Sequence, residues 1–301
     1  MYNLISANLA KMRKSLCFKI YIAFAFLYSL SNIVLHFMEI RSVLASADLN
    51  SAPENLSPDL TAQISRNFYT DSIMFDAAIT MIFAALVFTG IFIGREYGDG
   101  GLRNKLIAGH SRGTVYLANL TVCICANVTA MLLAVGTVLA VGIPIMGTKF
   151  TLGHIAVCIA FMIAANIALT SLFVFGSMII SSKAVSCVTL ILSFMALFFI
   201  TVYIEGKLDA PEYYPDYAMT IDESGTQHIE KLRSTKNPYY ISGTQRKIYE
   251  FLDENLPVSQ LYHMASDGEA PASAFPLAAD AAVLVFFAGV GILVFKRKNI
   301  K

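Results

Sequence analysis

Six stretches of the chain, residues 17–38, 73–93, 116–146, 155–180, 184–204 and 275–295, are each longer than 20 residues and almost wholly apolar. A helix rises about 1.5 Å per residue, so roughly 20 such residues cross the hydrocarbon core of a bilayer. The third to fifth stretches contain no charged residue. The first carries Lys19 near one end, where a lysine can reach the headgroups, and the second and sixth carry Asp76 and Asp280 near their starts. Charged residues make up 14% of the 301-residue chain, against about 25% in soluble domains. The expectation is an all-α polytopic membrane protein of six spans forming one transmembrane domain over residues 1–301.

Lysine and arginine orient such a chain. With the N-terminus inside, the internal segments hold Lys11, Arg13, Lys14, Lys19, Arg95, Arg103, Lys105, Arg112, Lys183, Lys296, Arg297, Lys298 and Lys301. The short outer loops hold Arg41, Arg66 and Lys149. Both termini are therefore expected in the cytoplasm, in a multi-pass protein of the cell membrane. Ala45-Ser46-Ala47 resembles a signal-peptidase site. The apolar run before it is too long for a signal peptide, however, and His36, Glu39 and Arg41 intervene, so an uncleaved first helix is expected.

Outside the spans, residues 1–16 place Ile5, Leu9, Met12 and Leu16 on one helical stripe, with Lys11, Arg13 and Lys14 elsewhere. This predicts an amphipathic helix lying in the membrane interface. Residues 205–274 form the largest polar block, with twelve acidic against six basic residues, and should be an extracytoplasmic insert between spans five and six. Within it a short helix is expected, with Thr244 as N-cap, Ile248, Phe251 and Leu252 as its apolar face, and Pro257 as its stop. Seven tyrosines cluster here, suited to packing and interfacial anchoring. Residues 39–72, with Pro53 and Pro58, read as a smaller outer loop.

Chemistry-bearing motifs are sparse. The chain has no G-x-x-x-x-G-K-[ST], H-E-x-x-H or G-x-S-x-G, and its five histidines lack ligand spacing. No catalytic, metal or cofactor site is expected, and the chain should not hydrolyse ATP by itself. Its near-neutral charge balance gives no basis for nucleic-acid binding. The five cysteines all fall in apolar runs and read as buried thiols rather than a disulfide framework. Asp76 and Asp280 sit within about two turns of the outer boundary, where they suit a solvated outer vestibule. Asn127 and Asn166 lie deeper and suit interhelical hydrogen bonds.

The densest polar punctuation inside the membrane domain is "GREYGDGGLRNKLIAGHSRGTVYLANL", residues 94–120. Gly98, Gly100 and Gly101 should break the helix of the second span. "LRNKLIA" then forms about two turns with Leu102, Leu106 and Ile107 on one side and Arg103 on another. Gly109 ends that piece, and Ser111 can cap the third span. Two readings follow: a handle for a soluble partner, or a solvated loop whose charges only follow the inside-positive rule.

This loop resembles that of ABC-2-type transporter permeases, which read as glycine and glutamate, then G-T-[LIV]-R, a leucine-rich turn, and S-R before the next span. The matching residues are Glu96, Gly100, Leu102, Arg103, Leu106, Ser111 and Arg112, with Gly101 where the family has threonine. The basic N-terminal helix, the six spans, the outer insert with "NLPVSQ" and the terminal "FKRKNIK" agree with it. The resemblance implies a permease without a nucleotide site, working with an ABC ATPase subunit that binds ATP and magnesium, and with a second permease half as homodimer or similar chain. It implies export, with Glu96, Gly100, Leu102, Arg103, Lys105, Leu106, Ser111 and Arg112 coupling the ATPase to the spans. Arg103 or Arg112 would pair with a partner carboxylate or with Glu96. The alternatives are a membrane sensor or immunity protein using residues 205–274 as receptor, and a secondary carrier.

Overall fold

The computed structural model describes residues 1–46, 69–214, 217–221, 227–231 and 234–298. Most of the outer loop at residues 39–72, and parts of the insert, lie outside the described residues. The helices are α1 (Tyr2–Lys14), α2 (Leu16–Ser46), α3 (Thr70–Gly98), α4 (Gly101–Ile107), α5 (Arg112–Met146), α6 (Leu152–Ile179), α7 (Lys183–Leu208), α8 (Gly243–Asn255), α9 (Pro257–Asp267) and α10 (Phe275–Arg297). Six of them, α2, α3, α5, α6, α7 and α10, are long and apolar enough to cross a membrane. The protein is a polytopic α-helical membrane protein, with spans where the apolar runs place them but extending a turn or more beyond several.

The spans are not equivalent. α3 and α6 bury most of their surface inside the bundle, whereas α2, α7 and α10 keep most of theirs outward. Leu27, Leu35, Phe199 and Phe286 are each more than 60% exposed, as lipid-facing side chains are, because hydrocarbon solvates them as well as protein does. One close approach sets the interior. Gly90, Gly94 and Gly98 line one face of α3, and a Cβ on Gly94 would lie 2.8 Å from the Lys183 Cα of α7. Small residues four apart let two helix backbones meet. Deeper in the bundle, the Asn127 amide of α5 donates to Thr89 Oγ1 of α3 at 3.2 Å and Thr170 Oγ1 of α6 at 3.0 Å. Asn166 is as buried, yet neither of its amide atoms has a hydrogen-bond partner among the described residues. The interhelical role expected of both asparagines is met by one.

The two ends of the bundle differ. One end gathers α1, α4, the starts of α5 and α7, the ends of α3, α6 and α10, and most of the lysine and arginine; it is called the basic end here. At the other end, the insert between α7 and α10 contains two antiparallel strand pairs. β1 (Tyr213–Tyr214) pairs with β4 (Thr235–Lys236), and β2 (Tyr217–Ile221) pairs with β3 (Gln227–Lys231), Tyr217 opposite Lys231. The alternation of Tyr217, Met219 and Ile221 along β2 is a strand signal. α8 starts after Ser242, with no side-chain cap, so Thr244 is inside the helix rather than capping it. Its Ile248 and Phe251 are more than half exposed rather than packed inward. Pro257 ends α8 and also opens α9 at the position where a missing N–H costs nothing. α9 rests on the bundle through Val258, Leu261 and Met264. The loop after it is pinned by Gly268, whose carbonyl meets His154 Nε2 at 3.0 Å. All five cysteines are free thiols.

Candidate functional site

The loop and N-terminal helix singled out by the sequence meet at the basic end. α1 stops at Ser15, whose extended backbone breaks the helix. Its hydroxyl donates to the Met12 carbonyl at 2.7 Å and accepts from the Phe18 N–H at 3.2 Å, ending one helix and capping the next. The buried face of α1 is Leu4, Asn8 and Met12, with Ile5 and Leu9 partly buried beside it. This corrects the predicted stripe. Leu16 belongs to α2 and is 66% exposed, because the break at Ser15 turns the chain before it can join the α1 face. The face also packs on protein, since the Asn8 amide donates to Asn119 Oδ1 of α5 at 3.1 Å.

Glu96 joins these pieces. It lies at the end of α3 with its side chain 2% exposed, and Lys11 Nζ of α1 is 2.5 Å from its Oε1. Lys105 of α4 donates to the other carboxylate oxygen. Both oxygens are thus held by ammonium groups from two different helices. Lys105 is itself 13% exposed. Burial pulls its ammonium below the ordinary lysine range, although Glu96 opposes that shift. Of the two pairings open to Arg103 and Arg112, with a partner's carboxylate or with Glu96, the second is not made. The carboxylate is taken by the two lysines, one of which is 85 positions away in sequence.

α4 is made as the glycines dictate. Gly100 precedes it with φ +68°, a left-handed conformation that glycine adopts without a Cβ clash. No side chain caps the helix. Gly101 leaves the room that Glu96 fills, for a Cβ there would lie 3.0 Å from Glu96 Oε2 and 3.3 Å from Lys11 Nζ. Leu102 is 1% exposed and Leu106 packs on the core, but Ile107 is 74% exposed. The predicted inner face therefore loses Ile107, which stands with exposed Arg103 and Asn104 on the outer side. Ser111 caps α5 as expected, its Oγ accepting from the Thr114 N–H at 3.2 Å.

Two further cations secure helix ends. Arg112 donates to the carbonyls of Phe295 at 3.3 Å and Lys296 at 3.1 Å, and also to that of Lys298. Lys298 in turn donates to the carbonyls of Met178 at 3.1 Å and Ile179 at 2.8 Å, and to the Tyr97 hydroxyl at 3.0 Å. Cations placed on the free carbonyls of a helix C-terminus complement its dipole. Tyr97 also donates to the Met178 carbonyl at 2.5 Å. Successive residues of α3 thus reach opposite ways, Glu96 to α1 and α4, Tyr97 to α6 and the tail. Lys11, Tyr97 and Lys298 were not among the residues predicted from sequence.

The two acids expected at an outer vestibule have different neighbours. Asp76 is 54% exposed, with His36 Nε2 at 3.9 Å. Asp280 is 2% exposed and accepts from Gln260 Nε2 of α9 at 3.3 Å. Among the described residues there is no group of three or more His, Cys, Asp or Glu side chains that could hold a metal ion. No family model matches this chain, and no curated protein matches it.

Proposed function

We propose that this chain is the permease subunit of an ATP-binding-cassette exporter of the ABC-2 type, embedded in the cell membrane with both termini in the cytoplasm. ATP and magnesium belong to a separate cassette ATPase, and a second permease half, another copy or a similar chain, completes the path. The observation that carries this reading is the attachment of α4 to α3 through Lys105 and Glu96, with α1 held to the same carboxylate by Lys11. A surface helix so tied is a lever. A push on its outer face is delivered to α3, the helix most enclosed by the other spans. The concentration of lysine and arginine at this end supports its placement in the cytoplasm.

In this reading the roles within the loop divide. Arg103 and Ile107 contact the ATPase, and Leu102, Lys105, Leu106 and Glu96 transmit. Gly100 sets the turn, while Ser111 and Arg112 brace the start of α5. Nucleotide-driven closure of the partner moves α4 and α1 together. The test is affinity purification from the native membrane. The wild-type chain retains an ATP-binding subunit with ATPase activity, and Arg103→Glu with Ile107→Asp loses it while the fold persists. Retention of the ATPase by that double variant sinks the docking assignment. A receptor or sensor would hold no ATPase at all, and a secondary carrier would transport on an ion gradient without ATP and fail on Asp76→Asn.

A further inference from the structure

α2 and α3 leave an open groove of about 410 Å³ on the outward side of the bundle. Its floor is Tyr21, Ala84 and Phe88, and its lips are Ile20, Phe24, Phe83 and Val87, all four exposed. On α3 the lining runs from Thr80 to Ile91, a length of about 16 Å at the helical rise. That is about half the hydrocarbon core, the depth of one leaflet. The stripe of Thr80, Ala84, Val87 and Ile91 continues at helical spacing to Arg95, just past the apolar run.

The groove therefore ends on a cation. Arg95 is partly buried and lies within electrostatic reach of Cys17, which lines the same end of the groove. Lys183 of α7 joins it. The Lys183 Cα crowds Gly94, and its Nζ is 3.5 Å from the place a Cβ would take on Gly98. Its stem thus lies along the turn of α3 that carries Arg95. Among the described residues neither Arg95 nor Lys183 makes an ion pair. The other cations lodged between helix ends here are already held, Lys11 and Lys105 by Glu96, Arg112 and Lys298 by terminal carbonyls. Two neighbouring cations without a counter-charge repel one another, and an anion between them removes that cost.

We infer that this groove binds one anionic phospholipid from the leaflet at the basic end, with an acyl chain along α2 and α3 and its phosphate on Arg95 and Lys183. Length and charge select this occupant. A membrane helix of a second copy needs a groove through the whole core, about twice as long. The cations stand at headgroup depth, where a guanidinium offers paired N–H donors to phosphate oxygens and basic pockets between spans hold anionic headgroups. Arg95 immediately precedes Glu96, so the headgroup lies beside the carboxylate that joins α1, α3 and α4. The inference goes beyond the permease reading and does not rest on it, since a receptor or carrier with this seam would hold the lipid alike.

The chain has no tryptophan, which makes a fluorescence test direct. Ile20→Trp puts a single fluorophore at the lip of the groove, and Phe286→Trp puts one on the outward face of α10 as a reference for bulk lipid. The full chain is reconstituted in vesicles of phosphatidylglycerol and phosphatidylcholine, with bromine on the acyl chains of one lipid or the other. Brominated phosphatidylglycerol should quench Ile20→Trp as if enriched there about tenfold over brominated phosphatidylcholine, and less so as salt rises. Phe286→Trp should show no preference. Arg95→Gln with Lys183→Gln, which breaks no ion pair, should abolish the preference at Ile20→Trp. Ala84→Phe, which fills the floor and leaves both cations, should lower it as well. Equal quenching of Ile20→Trp by the two lipids, or a preference that survives either set of changes, overturns the inference. Protection of Ile20→Trp from both lipids also overturns it, and means that a second copy covers the groove.

Discussion

Glu96 and Lys105 form an ion pair that is buried on both sides, while the second partner of Glu96, Lys11, is half exposed. That asymmetry makes the two bonds unequal. Removing one member of a buried pair strands the other charge and costs about 3–5 kcal/mol, whereas an exposed partner adds about 0–1 kcal/mol. Glu96→Gln and Lys105→Met are therefore expected to destabilise the protein by about 2–4 kcal/mol, and Lys11→Met by under about 1 kcal/mol. Thermal unfolding in detergent, arranged as double-mutant cycles, checks this. Equal coupling energies for the two lysines would refute it.

Lys298 predicts an effect far from itself in sequence. Its ammonium lies on the carbonyls of Met178 and Ile179, and burial holds its pKa below the ordinary lysine value. Lys298→Ala should free the end of α6 at a cost of about 1 kcal/mol. Hydrogen–deuterium exchange is the measurement: protection should fall at residues 176–182 and stay unchanged at the start of the same helix. Uniform change along α6, or none, would show that the tail does not hold it.

How much of this was legible beforehand differs by element, for physical reasons. The spans were readable because a lipid-embedded helix must be apolar nearly all round, and that needs no partner to be known. The breaks around α4 were readable because Gly100 and Gly109 act locally. The phase of α4 was not. Two turns carry too few residues to define a face, and the spacing groups Ile107 with Leu102 and Leu106 although it points out. The α1 stripe was displaced by one residue for a similar reason, since buried Asn8 is polar and becomes interior only because Asn119 satisfies it. The partners of Glu96 depend on tertiary contact over 85 positions. Nothing in a local pattern separates Lys11 from Arg103 as the closer cation.

Gly94 offers a test of the packing that supports the site. A Cβ there meets the Lys183 backbone, whereas at Gly136 in α5 it meets nothing. Gly94→Ala should therefore force α3 and α7 apart, at about 1–3 kcal/mol, while Gly136→Ala should be neutral or stabilising by up to about 1 kcal/mol from the better helix propensity. Melting temperatures of the two variants in the same detergent decide the matter. Similar values would mean that α3 and α7 do not touch at the glycine face.

Asp253 makes the insert acid-sensitive in a defined window. Burial raises the pKa of its carboxyl, but hydrogen bonds from His263 and Ser259 and the histidine charge outweigh that and hold it below the ordinary value of 3.8. A carboxyl with a depressed folded pKa contributes stability that is fully present above its unfolded value and lost as pH falls through the folded one. The contribution should thus be intact at pH 5 and decline below about pH 4. In His263→Ala the pKa of Asp253 returns towards its ordinary value, so the loss between pH 5 and pH 2.5 shrinks. Exchange protection of residues 253–263 over that range reads it out, because the effect is local to α8 and α9. Identical acid profiles for wild type and His263→Ala would show that the histidine does not hold the carboxylate.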